Sequence, residues 1–148
     1  MTIVPQVQRF CQRYVQQHRR GDVTLRLKQY LGLNADWTYD VFVEVWVDPG
    51  DLFRPCVDPE TNDSSCDLEF KDPQPTVKGI ADYRRFFTSL YFAYFRLSPG
   101  VPWTGLGYTY DWGNPGRPEG ASEFVISPGS GYEIHRVVTT ADYCSVQG

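Results

Sequence analysis

The segment SEFVISPG (122–129) places one carboxylate, Glu123, before three apolar residues and a Ser-Pro-Gly corner. The apolar residues predict a strand, and the corner followed by GYEIHRVV predicts a hairpin with a second strand. Glu123 would then stand at a sheet edge where a cleft can open. There a carboxylate can hydrogen-bond a ribose hydroxyl and stabilise the positive charge that develops as an N-glycosidic bond breaks. The alternative is a solvated residue at the head of an ordinary hairpin.

The same residues resemble a known catalytic segment. EFVISPGSGYEI is similar to the catalytic-glutamate segment of the mono-ADP-ribosyltransferase superfamily of toxins, over about a dozen of the 148 residues. The resemblance implies that Glu123 is catalytic, that NAD is the substrate, and that the protein is a bacterial effector with a protein target or an immunity partner. Many arginine-modifying members carry an acid two residues before the glutamate, where this chain has Ala121. That departure points to another acceptor of ADP-ribose, or to hydrolysis of NAD.

The superfamily also needs a basic or polar residue on an early strand to hold NAD, and Arg54 in DLFRPC is the matching candidate. The fork of N–H donors on an arginine suits bidentate contact with a phosphate. The alternative role is an ion pair with a nearby acid, which would be Asp51, Asp58 or Glu60. Contact with one NAD molecule requires Arg54 and Glu123 to converge in space.

The stretch PWTGLGYTYDWGN (102–114) concentrates aromatic rings and hydroxyl groups beside glycines. Glycine lets the backbone approach a ligand closely, and flat rings suit a nicotinamide or an adenine. The spacing is not Gly-x-Gly-x-x-Gly, so neither a Rossmann motif nor a P-loop applies. The candidate NAD contacts are Trp103, Thr104, Tyr108 and Tyr110. A packed aromatic Ω-loop is the alternative.

Two further function classes stay open. Glu123 and His135 would face each other across the predicted hairpin, and a Glu with a His can cleave RNA by general acid–base catalysis. A net charge of −4 argues against tight binding to phosphate backbones, apart from a small basic patch at residues 18–20. The third class is a non-enzymatic binding or inhibitor module, whose exposed aromatic residues form an interface.

The four cysteines predict two disulfide bonds. Cys56 and Cys66 flank a polar loop that a disulfide closes easily, which leaves Cys11 and Cys144 as the second pair. Such bonds imply an oxidising compartment and favour a secreted or periplasmic protein. Without Cys-x-x-Cys pairs and with two histidines, no metal site is expected, and the acidic loop DPETND lacks the Gly and the distal Glu of an EF-hand.

The ends of the chain and its apolar runs bear on localisation. No apolar run is long enough to span a membrane, and the first twenty residues lack the apolar core of a signal peptide. We therefore expect removal of an export signal, a signal-free route out of the cell, or action inside a cell, including the cytoplasm of a target cell. DLFRPCVDPETNDSSC, PWTGLGYTYDWGNP and SEFVI together resemble a group of small secreted bacterial proteins. That resemblance implies only export and disulfide bonding.

The periodicity of the sequence predicts a single α+β domain over residues 1–148, with helices packed on a small, mostly antiparallel sheet. A stripe of apolar residues at helical spacing begins at Val7, and Asp22 can cap a second helix. YDVFVEVWVD (39–48) alternates like a strand with one purely apolar face, which favours a central place in the sheet. A short strand is predicted at CDLEF (66–70). GIADYRRFFTSLYFAYFRL (79–97) is apolar nearly all round from Phe86 to Phe95 and predicts a buried central helix.

Overall fold

A computed structural model describes residues 1–96 and 100–145, and it confirms the α+β class. Within these residues the helices are α1 (Gln6–Gln17), α2 (Val23–Tyr30), α3 (Tyr83–Tyr91) and α4 (Thr140–Cys144). The strands are β1 (Val41–Trp46), β2 (Leu52–Phe53), β3 (Tyr108–Tyr110), β4 (Glu119–Ser122), β5 (Val125–Ile126) and β6 (Glu133–Thr139). They form three two-stranded antiparallel sheets, β1-β6, β2-β5 and β3-β4, in place of one small sheet.

The two N-terminal helices follow the predicted pattern. The apolar stripe of α1 buries Cys11, and Leu27 of α2 is buried beside it. Asp22 caps α2, and its carboxylate accepts a hydrogen bond from the Leu25 N–H at 2.9 Å. The rest of this buried cluster comes from α1, β4 and α4: Val7, Ala121, Tyr143 and Cys144. The main apolar core therefore lies where the two ends of the chain meet.

Both predicted disulfide bonds, Cys11–Cys144 and Cys56–Cys66, are present. The first joins α1 to α4 inside the core, and the second closes the acidic loop. Paired cysteines indicate an oxidising environment. The short strand predicted at CDLEF is wrong, because residues 66–70 form no strand pairing in the structure.

Strand β1 does not lie at the centre of a sheet, contrary to the prediction. Among the described residues it pairs with β6 alone, with Val43 opposite Val137 and a bulge after Glu44. The valine face turns to solvent, and Val43 is 54 % exposed. The reason is that Phe42 and Glu44, on the opposite face, pack inward. Alternation identified the strand but assigned the wrong face to the core.

The predicted hairpin between β5 and β6 is wrong. Strand β5 pairs with β2 and β6 pairs with β1, so the PGSG turn (128–131) joins two different sheets. Between β4 and β5 the N–H of Glu123 bonds to the Gly107 carbonyl, and the N–H of Phe124 bonds to the Met1 carbonyl. These distant acceptors take the backbone groups that a simple hairpin would have paired.

Helix α3 is less buried than the sequence predicted. Of its residues only Tyr83 is buried. The rings of Phe86 and Phe87 pack edge-on against Phe53 and Phe70, on one side of the helix. The outer side stays at the surface, because the described elements pack against one side only. The chain continues as one π-helical turn, Phe92–Arg96, and the last predicted residue, at position 97, lies outside the described residues.

Candidate functional site

Arg54 is a buried anchor rather than an open anion-binding residue in this conformation. It is 2 % exposed, and its guanidinium donates to the carbonyl oxygens of Asp63 and Gly107, each at 2.9 Å. The Phe124 ring lies 5.9 Å from the guanidinium carbon. Among the described residues no carboxylate forms an ion pair with Arg54, so the alternative pairing with a nearby acid is wrong. Contact of Arg54 with NAD stays a prediction.

Gly107 brings Arg54 and Glu123 together. Its carbonyl accepts one hydrogen bond from Nη2 of Arg54, at 2.9 Å, and another from the backbone N–H of Glu123, at 2.8 Å. The residue has a φ of +72°, and a Cβ here would lie 2.5 Å from Nε of Arg54. Only glycine fits this turn without strain and without displacing the guanidinium.

The Glu123 carboxyl is incompletely hydrogen-bonded. Among the residues that the structure describes, its Oε2 is buried without a hydrogen-bond partner, and so is the indole N–H of Trp103. Burial raises the pKa of Glu123, while the Met1 ammonium and the nearby Trp103 indole act in the opposite direction. The indole N–H approaches the carboxyl without the geometry of a full hydrogen bond. A carboxyl in this setting holds its proton more tightly than an exposed glutamate does.

Trp103, which lies near this carboxyl, belongs to an aromatic cluster. Its ring stacks on Tyr94 at 5.5 Å between centroids, and it contacts Phe87 at 5.3 Å. The raised pKa of Tyr94 has burial as its main cause and the charge of Glu123 as its second. Trp103 therefore lies near Glu123 and also lines a cavity.

That cavity is an open groove of about 620 Å³ between α3, the segment after the second disulfide bond, and the turn at residues 103–106. We call it the aromatic groove, and its apolar lining includes Leu68, Phe70, Phe87, Tyr91, Phe92 and Trp103. Leu68 is 81 % exposed and Phe92 is 56 % exposed. Neighbouring large apolar side chains in contact with water are typical of surfaces that bind a partner or a ligand.

The residues predicted to contact a ligand separate into two groups. Trp103 and Thr104 line the aromatic groove. The Thr104 hydroxyl donates to the Tyr108 carbonyl at 2.5 Å, which shapes the turn. Tyr108 and Tyr110 lie on β3 and pair with β4 outside the groove lining. Two glycines of this loop, Gly105 and Gly107, have positive φ and form turns, and the predicted close approach of a ligand to the glycines stays a prediction.

His135 is remote from Glu123 in strand pairing. It lies exposed on β6, where its ring meets the edge of Trp46 at 5.1 Å. Glu123 lies between β4 and β5, and neither of these strands pairs with β6. The predicted contact of Glu123 and His135 across a hairpin is therefore wrong, because that hairpin does not form.

Residues 1–96 and 100–145 contain neither a candidate metal site nor a membrane-spanning helix. No three or more His, Cys, Asp or Glu residues in this part of the chain are arranged to hold a metal ion. In the acidic loop, the carboxylates of Glu60 and Asp63 accept hydrogen bonds from the backbone N–H groups two residues further along the chain. These bonds stabilise turns within the loop itself. None of the helices there has the length and apolar character needed to cross a membrane.

Comparison of the chain with protein-family models, with curated proteins and with solved structures gave no match. The features of this chain that bear on function are therefore the geometry around Glu123 and the aromatic groove. Sequence reasoning missed the groove residues Leu68 and Phe92. The available signal was the aromatic run of the third helix, which is typical of buried helices and equally of apolar binding surfaces.

Proposed function

We propose that this protein is an exported, disulfide-bonded binding module whose aromatic groove takes an apolar segment of a partner protein. The observation that carries the proposal is the groove itself, where large apolar side chains lie open to solvent around Trp103. The two disulfide bonds support export, since they form in oxidising compartments.

The chemistry of the groove defines the partner. Aromatic rings and aliphatic side chains, including Leu68 and Leu106, form its walls, whereas charges lie at its rim. Asp67 pairs with Lys71, and Arg84 covers the Phe70 ring at 4.8 Å. A partner segment with Leu, Met or Phe side chains would bury these walls at roughly 25 cal/mol per Å². Its polar residues would meet the rim, as in most protein interfaces.

The inner side of the groove supports the same function. Arg54 gives two of its donors to backbone carbonyls, and those bonds hold the disulfide loop against the turn that carries Trp103. A groove supported in this way is preorganised, which lowers the entropy cost of binding.

The test is selection of peptides from a random displayed library on the oxidised protein. We expect binders with two or more large apolar residues and roughly micromolar affinity, the range of small peptide grooves. Leu68→Asp should weaken these peptides at least tenfold, because it places a charge in the groove. Leu68 makes little contact with the core, so the variant should fold.

The matched control is Ile134→Asp, the same kind of change at an exposed residue of β6. Its peptide affinity should equal that of the unmodified protein. Selection without an apolar consensus, or equal binding by Leu68→Asp, would contradict the proposal.

A second candidate function is cleavage of NAD at the nicotinamide ribose, with ADP-ribose passed to an acceptor or to water. One observation favours it: Oε2 of Glu123 is buried near Trp103 without a hydrogen-bond partner among the described residues, and Arg54 bonds to the same carbonyl as the Glu123 backbone. Stabilising the sugar cation requires the ionised carboxylate. Because burial raises the pKa of Glu123, activity would increase with pH through that raised pKa.

Nicotinamide release from NAD, with a cell lysate as acceptor, tests this candidate. Release by the unmodified protein should disappear in Glu123→Gln and persist in Glu133→Gln, the same change at an exposed strand residue. Absence of release by the folded protein removes this candidate and leaves the peptide-binding proposal to its own test.

A further inference from the structure

Positive charge is concentrated at one end of this acidic chain. All 18 Asp and Glu residues lie beyond residue 21, together with ten of the 14 Lys and Arg residues. The first 21 residues contain four arginines and no acid. This segment thus has a charge of +4, within a protein of net charge −4. Such asymmetry indicates a surface for an anionic partner.

These arginines are exposed to solvent and form no ion pair with the described carboxylates. The four arginine side chains of the segment are all exposed: Arg9, Arg13, Arg19 and Arg20. In the part of the chain that the structure describes, no carboxylate pairs with them, whereas five cations elsewhere have a carboxylate within 4.0 Å. A charged surface without internal counterions keeps its full attraction for an external anion.

Helix α1 orders part of this charge into a face. Arg9 and Arg13 are one turn apart, on the side opposite the buried Val7 and Cys11. We call the exposed side of α1 with residues 18–20 the basic face.

Apolar side chains accompany the charge. Ile3 is 51 % exposed and Val4 is 49 % exposed, directly before α1. Cations with neighbouring aliphatic side chains suit the boundary between lipid headgroups and acyl chains. Binding of single-stranded nucleic acid relies instead on ring faces, and the ring of Tyr14 here is already stacked on His18.

We infer that the basic face docks the protein on an anionic lipid surface, with Ile3 and Val4 as shallow apolar anchors. This goes beyond the proposed groove function, since the basic face and the groove lie on different elements. The acidic remainder of the protein does not cancel the attraction, because dissolved salt screens the interactions between exposed charges beyond a Debye length of about 8 Å at physiological ionic strength.

The experiment is co-sedimentation with vesicles of phosphatidylcholine alone and of phosphatidylcholine mixed equally with phosphatidylglycerol. We expect binding to the mixed vesicles only, and loss of that binding in high salt. Arg9→Gln with Arg13→Gln should lower the partition coefficient about 30-fold, since each cation near the surface contributes about a fivefold effect. Ile3→Ser with Val4→Ser should lower binding without changing its salt dependence.

The matched control is Arg85→Gln with Arg117→Gln, which removes the same charge at exposed positions elsewhere. Its partition coefficient should stay within about threefold of the unmodified protein, since charges more than a Debye length away are screened. Equal losses in the two double variants, or equal binding to both vesicles, would overturn the inference. So would binding of single-stranded RNA that exceeds vesicle binding and is lost in the Arg9 and Arg13 variant, because nucleic acid would then be the partner.

Discussion

Two halves of the molecule contain the same components and connect them differently. Each half has a disulfide bond, an arginine largely covered by protein, and a buried carboxylate oxygen. In the core half, beside Cys11–Cys144, Arg26 binds Asp111 through two hydrogen bonds of 2.7 and 2.6 Å. In the groove half, beside Cys56–Cys66, Arg54 binds carbonyl oxygens and Glu123 keeps one oxygen unpaired.

The two halves differ in whether their buried polar groups have partners. In the core half, each charge satisfies the other, and no ligand is needed. An unpaired buried polar atom costs about 1–3 kcal/mol. In the groove half, such atoms belong, among the described residues, to Trp103, which lines the aromatic groove, and to Arg54 and Glu123. Binding, protonation or a side-chain movement can lower the free energy there and not in the core half.

The largest expected effect compares the two disulfide bonds. Cys11→Ser with Cys144→Ser should lower the free energy of unfolding by about 5 kcal/mol, and Cys56→Ser with Cys66→Ser by about 3 kcal/mol. The reason is loop length, since the bonds join residues 133 and 10 positions apart. Urea denaturation of the oxidised variants measures both values.

Peptide affinity sharpens this comparison. Loss of Cys56–Cys66 should weaken groove binding, because the bond anchors the segment that carries Leu68. Loss of Cys11–Cys144 should leave affinity unchanged at a temperature where the variant is folded. Two results would contradict this comparison: a larger loss of stability without Cys56–Cys66 than without Cys11–Cys144, or a larger loss of peptide affinity without Cys11–Cys144 than without Cys56–Cys66.

Arg26→Met is expected to have the next largest effect. It leaves the Asp111 carboxylate, whose side chain is 3 % exposed, without its cation, and should cost about 4 kcal/mol. Adding Asp111→Leu should recover much of this loss, because a pair of apolar residues replaces a pair of charges. Arg117→Met, at a solvent-exposed position, serves as the control and should change stability by less than about 0.5 kcal/mol. Equal destabilisation by Arg26→Met and Arg117→Met would contradict the conclusion that Arg26 compensates the buried charge of Asp111.

Local features of the fold were predictable from the sequence, and distant pairings were not. The Asp22 cap, the α1 stripe and the cysteine-closed loop each depend on residues that are close in the chain or on a small set of cysteines. The partner of β5 depends on whether the N–H groups of Glu123 and Phe124 find acceptors elsewhere, and local patterning holds no such information.

The candidate site divides in the same way. The need for glycine in the PWTGLGYTYDWGN turn was predictable, because positive φ is a local property. The meeting of Arg54 and the Glu123 backbone at one carbonyl depends on contacts across more than fifty residues. Burial of the aromatic run on α3 depends on whether a second layer covers it, which its own periodicity does not determine.

The smallest expected effect concerns Glu123 itself. Because burial raises the pKa of Glu123 in the folded state, ionisation is disfavoured there relative to the unfolded chain. Stability is therefore greatest below the unfolded pKa of about 4.3, and decreases as pH rises through the folded pKa. Glu123→Gln removes this loss. The variant should match the unmodified protein near pH 4 and exceed it at pH 7 by about 1 kcal/mol, the scale of one unpaired buried polar atom.

Urea denaturation across this pH range provides the measurement, and Glu133→Gln, at an exposed position of β6, provides the control with no expected gain. The Met1 ammonium favours the ionised carboxylate, so it reduces the stability gain that we expect from Glu123→Gln at pH 7. If Glu123→Gln were less stable than the unmodified protein at pH 7, attraction to this ammonium would outweigh burial. Glu123 and Met1 would then form a stabilising ion pair. The groove half would resemble the core half, in which the carboxylate is already paired with a cation.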